Sequence, residues 1–78
     1  MKTTEYFRYT KKRSDRSWIK DEWIEFAINN PIKEEVQSDG RIKKWAKINA
    51  VDKYLRVILL EDDMTVHNAF FDKSFKEG

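Results

Sequence analysis

Apolar and polar residues change their spacing along the chain, and the changes divide it into elements. Thr4-Glu5-Tyr6-Phe7-Arg8-Tyr9-Thr10 is rich in aromatic residues and threonine and predicts a first strand. Lys11 to Ser17 is a polar, basic connection. From Ile19 the period becomes helical: Ile19, Trp23, Phe26, Ala27 and Asn30 fall at i, i+4, i+7, i+8 and i+11, with Asp21, Glu22 and Glu25 turned to solvent. Asp21 and Glu22 suit the dipole at the first turn, and Pro31 ends the helix because its ring forbids helical geometry at Asn30. Four strand-like runs follow, Ile32–Gln37, Arg41–Asn49, Tyr54–Glu61 and Thr65–Phe71. The pattern predicts an α+β fold in the order β-α-β-β-β-β. One amphipathic helix packs on a twisted antiparallel sheet of four to five strands.

The turns between these runs set the registers. A three-residue loop, Ser38-Asp39-Gly40, with glycine at its left-handed position, pairs Val36 with Ile42 and Ile32 with Ala46. A four-residue loop over 50–53 pairs Ile48 with Leu55 and Ala46 with Val57. One sheet face then collects Ile32, Val36, Ile42, Ala46, Ile48, Leu55, Val57 and Leu59 beneath the helix. Trp23, Phe26, Ile42, Val57 and Leu59 are expected to be buried, and truncating either aromatic should cost about 3–5 kcal/mol. The opposite face carries Arg41, Lys43, Trp45, Lys47, Arg56 and Ile58, with Lys47 directly opposite Arg56. Like charges so opposed are destabilising, which suits a face that meets an anion. In the last hairpin Asp tolerates left-handed backbone better than Met64 does, so a two-residue turn at Asp62-Asp63 is favoured. That turn sets Val66 opposite Leu59, sends His67 to the basic face beside Arg56, and points Asn68 inward.

Composition narrows the class. Seventy-eight residues suffice for one domain, 1–78, with a core over about 4–72 and a tail over 73–78 that should fray past Phe75. Eleven aromatic residues within a chain that is 38% charged suit a folded, soluble domain. The absence of cysteine excludes disulfides and thiolate metal sites, and a single histidine argues against zinc. Neither a metal nor a cofactor is expected. No apolar run approaches membrane-spanning length and the first residues lack a signal-peptide core, so a cytoplasmic protein is expected.

Charge adds the functional signal. The net charge of +2 is divided into blocks: +4 over residues 1–16, −4 over 17–40, +5 over 41–56 and −3 over 57–78. Cations flanking an exposed ring are what single-stranded RNA needs, with charge for phosphates and a ring for base stacking. Lys12, Arg13, Arg41, Lys43 and Trp45 are therefore the candidate RNA-binding residues. Metal-free RNA cleavage further asks for a proton-transfer group beside cations that stabilise the phosphate. His67 is the one side chain that titrates unaided near neutral pH. With Arg16, Lys47 and Arg56 it forms the candidate catalytic set. The bland alternatives are a solvated basic loop, a core Trp45 and an ordinary strand histidine.

The basic run before a helix ending in Asn30-Pro31, the strand Leu55-Arg56-Val57 and the closing Thr65-Val66-His67-Asn68-Ala69-Phe70-Phe71-Asp72 carry a family resemblance. Over roughly residues 9–72 the chain resembles small bacterial proteins, common in cyanobacteria, related to the BrnT-like and RelE/ParE-like toxins. The resemblance implies a helix on a twisted antiparallel sheet, metal-independent cleavage of single-stranded RNA, and an antitoxin protein as partner. Many relatives begin with a His-Ala-x-x-Arg pattern. Lys12-Arg13-Ser14-Asp15-Arg16 matches it with the arginine kept and the histidine replaced by lysine, a poor general base at neutral pH. A toxin-like endoribonuclease is thus the first expectation. A non-catalytic RNA- or protein-binding module on the same fold is the alternative.

Overall fold

Pro31 closes the main helix as its ring requires: α2 runs Asp21–Asn29, with Asp21 and Glu22 in its first turn. The structure, a computed structural model, describes residues 1–77. Lys20 is the N-cap of α2, so Ile19 lies outside the helix and cannot set its phase. The buried stripe is Ile24 and Ala27, with Trp23 and Ile28 partly buried beside them. Phe26, expected in the core, is 48% exposed because a stripe centred on Ile24, Ala27 and Ile28 leaves position 26 on the flank. Ile19 is still buried, delivered by the preceding loop.

The second correction is at the N-terminus. Residues Glu5–Thr10 form a helix, α1, where a strand is expected. Thr4 caps it by accepting a hydrogen bond from the Phe7 amide at 3.0 Å, and Glu5 favours its first turn. Phe7 and Thr10, one turn apart, are buried, while Tyr6 and Tyr9 point outward. A helix this short is marginal alone, so its packing on the sheet decides the outcome over the strand propensity of its aromatics. The backbone just before it does touch the sheet. Val66 donates to the Lys2 carbonyl at 2.9 Å and Thr4 to the Val66 carbonyl at 3.0 Å, a single parallel bridge.

The sheet is a meander of β1 (Lys33–Val36), β2 (Ile42–Ile48), β3 (Lys53–Leu59) and β4 (Val66–Phe71), antiparallel throughout. Val36 pairs with Ile42 around the three-residue loop, and Gly40 sits at φ +89 as that loop demands. The next loop spans 49–52, one residue earlier than expected, because Val51 tucks against the core and Asp52 takes the left-handed position. The register therefore moves by two: Ala46 pairs with Leu55 and Trp45 with Arg56. A shift of two keeps every side chain on its face, so Ala46, Ile48, Leu55, Val57 and Leu59 remain buried under α2. Ile32 and Val36 share that face, yet they are exposed, because α2 lies over β2 and β3.

In the last hairpin Val66 pairs with Leu59 as expected, but the turn is longer than two residues. Leu60 donates to the Thr65 carbonyl at 2.9 Å and Asp63 to the Leu60 carbonyl at 3.0 Å, and of the two aspartates Asp63 alone is left-handed. The Asp62 carboxylate accepts from the Thr65 hydroxyl and from the amides of Thr65 and Met64, and these bonds hold its pKa at about 2. Beyond Val66 a β-bulge intervenes: Ile58 pairs with Asn68, leaving His67 as the extra residue. The bulge turns Asn68 and Phe70 to the outer face and Ala69 to the core, the reverse of an unbroken ladder. No helix among the described residues is long and apolar enough to cross a membrane.

Candidate nucleic-acid interface

The outer face of the sheet, opposite α2, is organised in rows that run across the strands. Register places Lys33, Trp45, Arg56 and Phe70 in one such row, one residue from each strand. Cation and ring alternate along it. The Lys33 ammonium lies 5.7 Å from the Trp45 ring, and the Arg56 guanidinium lies 5.3 Å from Trp45 and 5.1 Å from Phe70. Arg16 closes the row from the far side, 5.1 Å over Phe70. It reaches that place because successive turns carry the chain from Lys11 to Ile19 past the β4 edge. Arg16 Nη1 donates to Asn68 Oδ1 at 2.8 Å, which locks its plane.

One carboxylate anchors the row. Asp72 is buried, and its Oδ2 accepts from Trp45 Nε1 at 3.0 Å and from Arg56 Nε at 3.1 Å, with Arg56 Nη2 at 2.8 Å. Its Oδ1 accepts from the Ser74 amide and hydroxyl. Burial by itself would raise the Asp72 pKa, but the hydrogen bonds from Ser74 and Trp45 and the Arg56 charge outweigh it and hold the group at about 2.

The residues singled out from sequence divide into two groups. Arg16, Arg56 and Trp45 come together in the row, with Lys43 in the next row, where it lies 3.9 Å from Glu35. Lys47 does not oppose Arg56. It pairs with Tyr54 and lies 3.1 Å from Asp52, whose hydrogen bond and charge raise its pKa. Trp45, expected as an exposed stacking ring, is 5% exposed, because Phe75 stacks on it at 5.3 Å. The tail thus lies against the sheet through Phe75, and Glu77 accepts from the Tyr54 hydroxyl at 2.9 Å; Gly78 lies outside the described residues. Lys12 and Arg13 are exposed in the turn after α1, with Arg13 3.4 Å from Asp15.

His67 is the main departure from the sequence reading. The bulge puts it against α1, half-buried, with its ring stacked on Tyr6 at 4.9 Å and Nδ1 3.1 Å from the Thr4 hydroxyl. Burial lowers its pKa first and the Arg41 charge adds to this, against a smaller opposing effect of Asp39. The cation that adds to the effect of burial is Arg41, not the Arg56 that the sequence reading set beside His67. A proton NMR titration should place the His67 midpoint below 6.5. Protonation then favours the unfolded chain as pH falls through that range. A midpoint at or above 6.5 would contradict this environment.

Lys33, Phe70, Asn68 and Asp72 are site residues that the sequence reading did not single out. The two-residue register shift and the bulge decide the row, and neither leaves a mark in the hydrophobic pattern. Phe70 was legible only as a strand aromatic. No cluster of His, Asp or Glu arranged to hold a metal occurs among the described residues. Comparisons with protein-family models, with curated proteins and with solved structures return no match.

Proposed function

We propose that this chain is a non-catalytic module that binds single-stranded RNA across its outer sheet face. The observation that carries the reading is the row Lys33–Trp45–Arg56–Phe70–Arg16, in which cations alternate with aromatic rings across four strands. Phe70 is half-buried with the Arg16 and Arg56 guanidinium groups over its ring. The planes of those two groups, not the covered ring, are the flat partners offered to a base. Arg16 keeps donors beyond the one given to Asn68, and Lys43 stands in the adjacent row, so phosphates can be met on either side. The ion pairs of Arg16 with Asp15 and of Lys43 with Glu35 are long, 3.8 and 3.9 Å, to carboxylates that face solvent, so they contribute little and leave both cations available to a phosphate.

The endoribonuclease, with an antitoxin partner and a RelE/BrnT-like fold, is the second reading. One observation favours it: the imidazole of His67 is biased towards the neutral form a general base needs. Against it, Arg16 and Arg56 meet at Phe70, whereas His67 is engaged by Thr4 and Tyr6, and Lys47 by Asp52.

Titrating a labelled single-stranded RNA at several salt concentrations tests the proposal. Affinity should fall with a log–log slope of about −0.7 per phosphate contacted, and Arg16→Ala should reduce that slope by roughly one contact. Undetectable binding at low salt would end the RNA reading. Metal-independent cleavage that disappears in His67→Ala would replace the module by the nuclease.

A further inference from the structure

We propose that Trp45 and Tyr54 form a second base-stacking subsite on the outer face, held closed by the chain's own C-terminal segment. The inference rests on the RNA-binding reading and specifies how that face is regulated. Trp45 and Tyr54 lie on adjacent strands and on the same face, one row apart. Phe75 fills the place between them, its ring 5.3 Å from Trp45 at 21° and 5.0 Å from Tyr54 at 52°. These are the separations at which aromatic planes attract. Two residues further on, Glu77 accepts from the Tyr54 hydroxyl at 2.9 Å, on the side where Lys47 lies 6.0 Å from the Tyr54 ring. The segment therefore presents a ring and an anion side by side, as a nucleotide presents its base and phosphate.

The surroundings fit that occupant. Lys33 flanks the Trp45 ring and Lys47 flanks Tyr54, so cations stand on both sides of the rings. A cleft of about 310 Å³ opens beside Phe75, lined by Lys53 and Lys73 but also by Asp52 and Asp72, so it offers room without a net positive charge. The cover is lightly fastened. Asp72 anchors its start through Ser74, and beyond that the side-chain hydrogen bonds and ring contacts to the sheet among the described residues come from Phe75 and Glu77. An RNA base that displaces Phe75 replaces one stacked ring by another and gains the phosphate contacts.

The test compares the full-length wild type with Phe75→Ala and Phe75→Leu, using a labelled mixed-sequence single-stranded RNA at fixed low salt. Phe75→Ala should bind about five- to tenfold more tightly, the gain expected from freeing one stacking position, with an unchanged salt slope. Phe75→Leu should fall between the two. Amide dispersion in the NMR spectra checks the fold of each variant. In the wild type, saturating RNA should shift the Trp45 indole N–H resonance. A wild type that binds RNA with this resonance unmoved, or a folded Phe75→Ala of equal or weaker affinity, overturns the subsite and leaves the outer-face reading standing. Absence of binding in every variant overturns both.

Discussion

Replacing Asp72 by alanine is expected to destabilise the domain by about 3 kcal/mol, because it strands the Trp45 indole N–H and the Arg56 guanidinium in a covered site. In a domain of this size that lowers the melting temperature by roughly 10 °C or more. The sign with pH follows from the depressed pKa. Asp72 titrates at about 2 in the folded chain and near 3.8 when free, so its contribution is complete above pH 4 and is lost as pH falls towards 2. The integrated effect is about 2 kcal/mol. Asp72→Asn keeps an acceptor for Trp45, so it should cost less than alanine at pH 7 and should flatten the acid limb of the stability curve. Urea unfolding at pH 7 and pH 3 checks both statements. An alanine variant as stable as wild type would show that the row is ornamental to the fold.

Ile24→Ala and Phe26→Ala should differ sharply. Ile24 is fully buried between α2 and the sheet, and its truncation should cost about 2–5 kcal/mol. Phe26 is 48% exposed, and its truncation should cost about 1 kcal/mol or less. The stripe drawn from Ile19 gives the opposite expectation for Phe26. Thermal melts of the two variants, each compared with wild type, decide the helix phase. Equal losses would mean that the helix is rotated from the position described.

Elements whose signals are local were legible in the chain. Pro31 forbids helix at the residue before it, Gly40 admits the left-handed turn, and Asp63 tolerates another. Alternation along the runs after Pro31 gave the sheet and the parity of its faces. Parity survives a shift of two residues, so the core face was readable although the Trp45 partner was not. Local propensity misled where a longer-range contact competes with it. Residues 5–10 look like a strand, yet they are drawn into a helix by the Thr4 cap and by the burial of Phe7 and Thr10. The register between β2 and β3 and the bulge at His67 depend on how Val51, Val66 and Ala69 pack against the core. Packing sums over distant parts of the chain, and no window of sequence contains it. Sequence therefore determined the main helix, the four-stranded antiparallel sheet after Pro31 and the basic character of the outer face, but not the helix over residues 5–10. Tertiary structure decided which cation meets which ring, why Trp45 is covered, and that His67 faces Thr4 and Tyr6, because a displacement of one or two residues changes every partner while leaving the hydrophobic pattern intact.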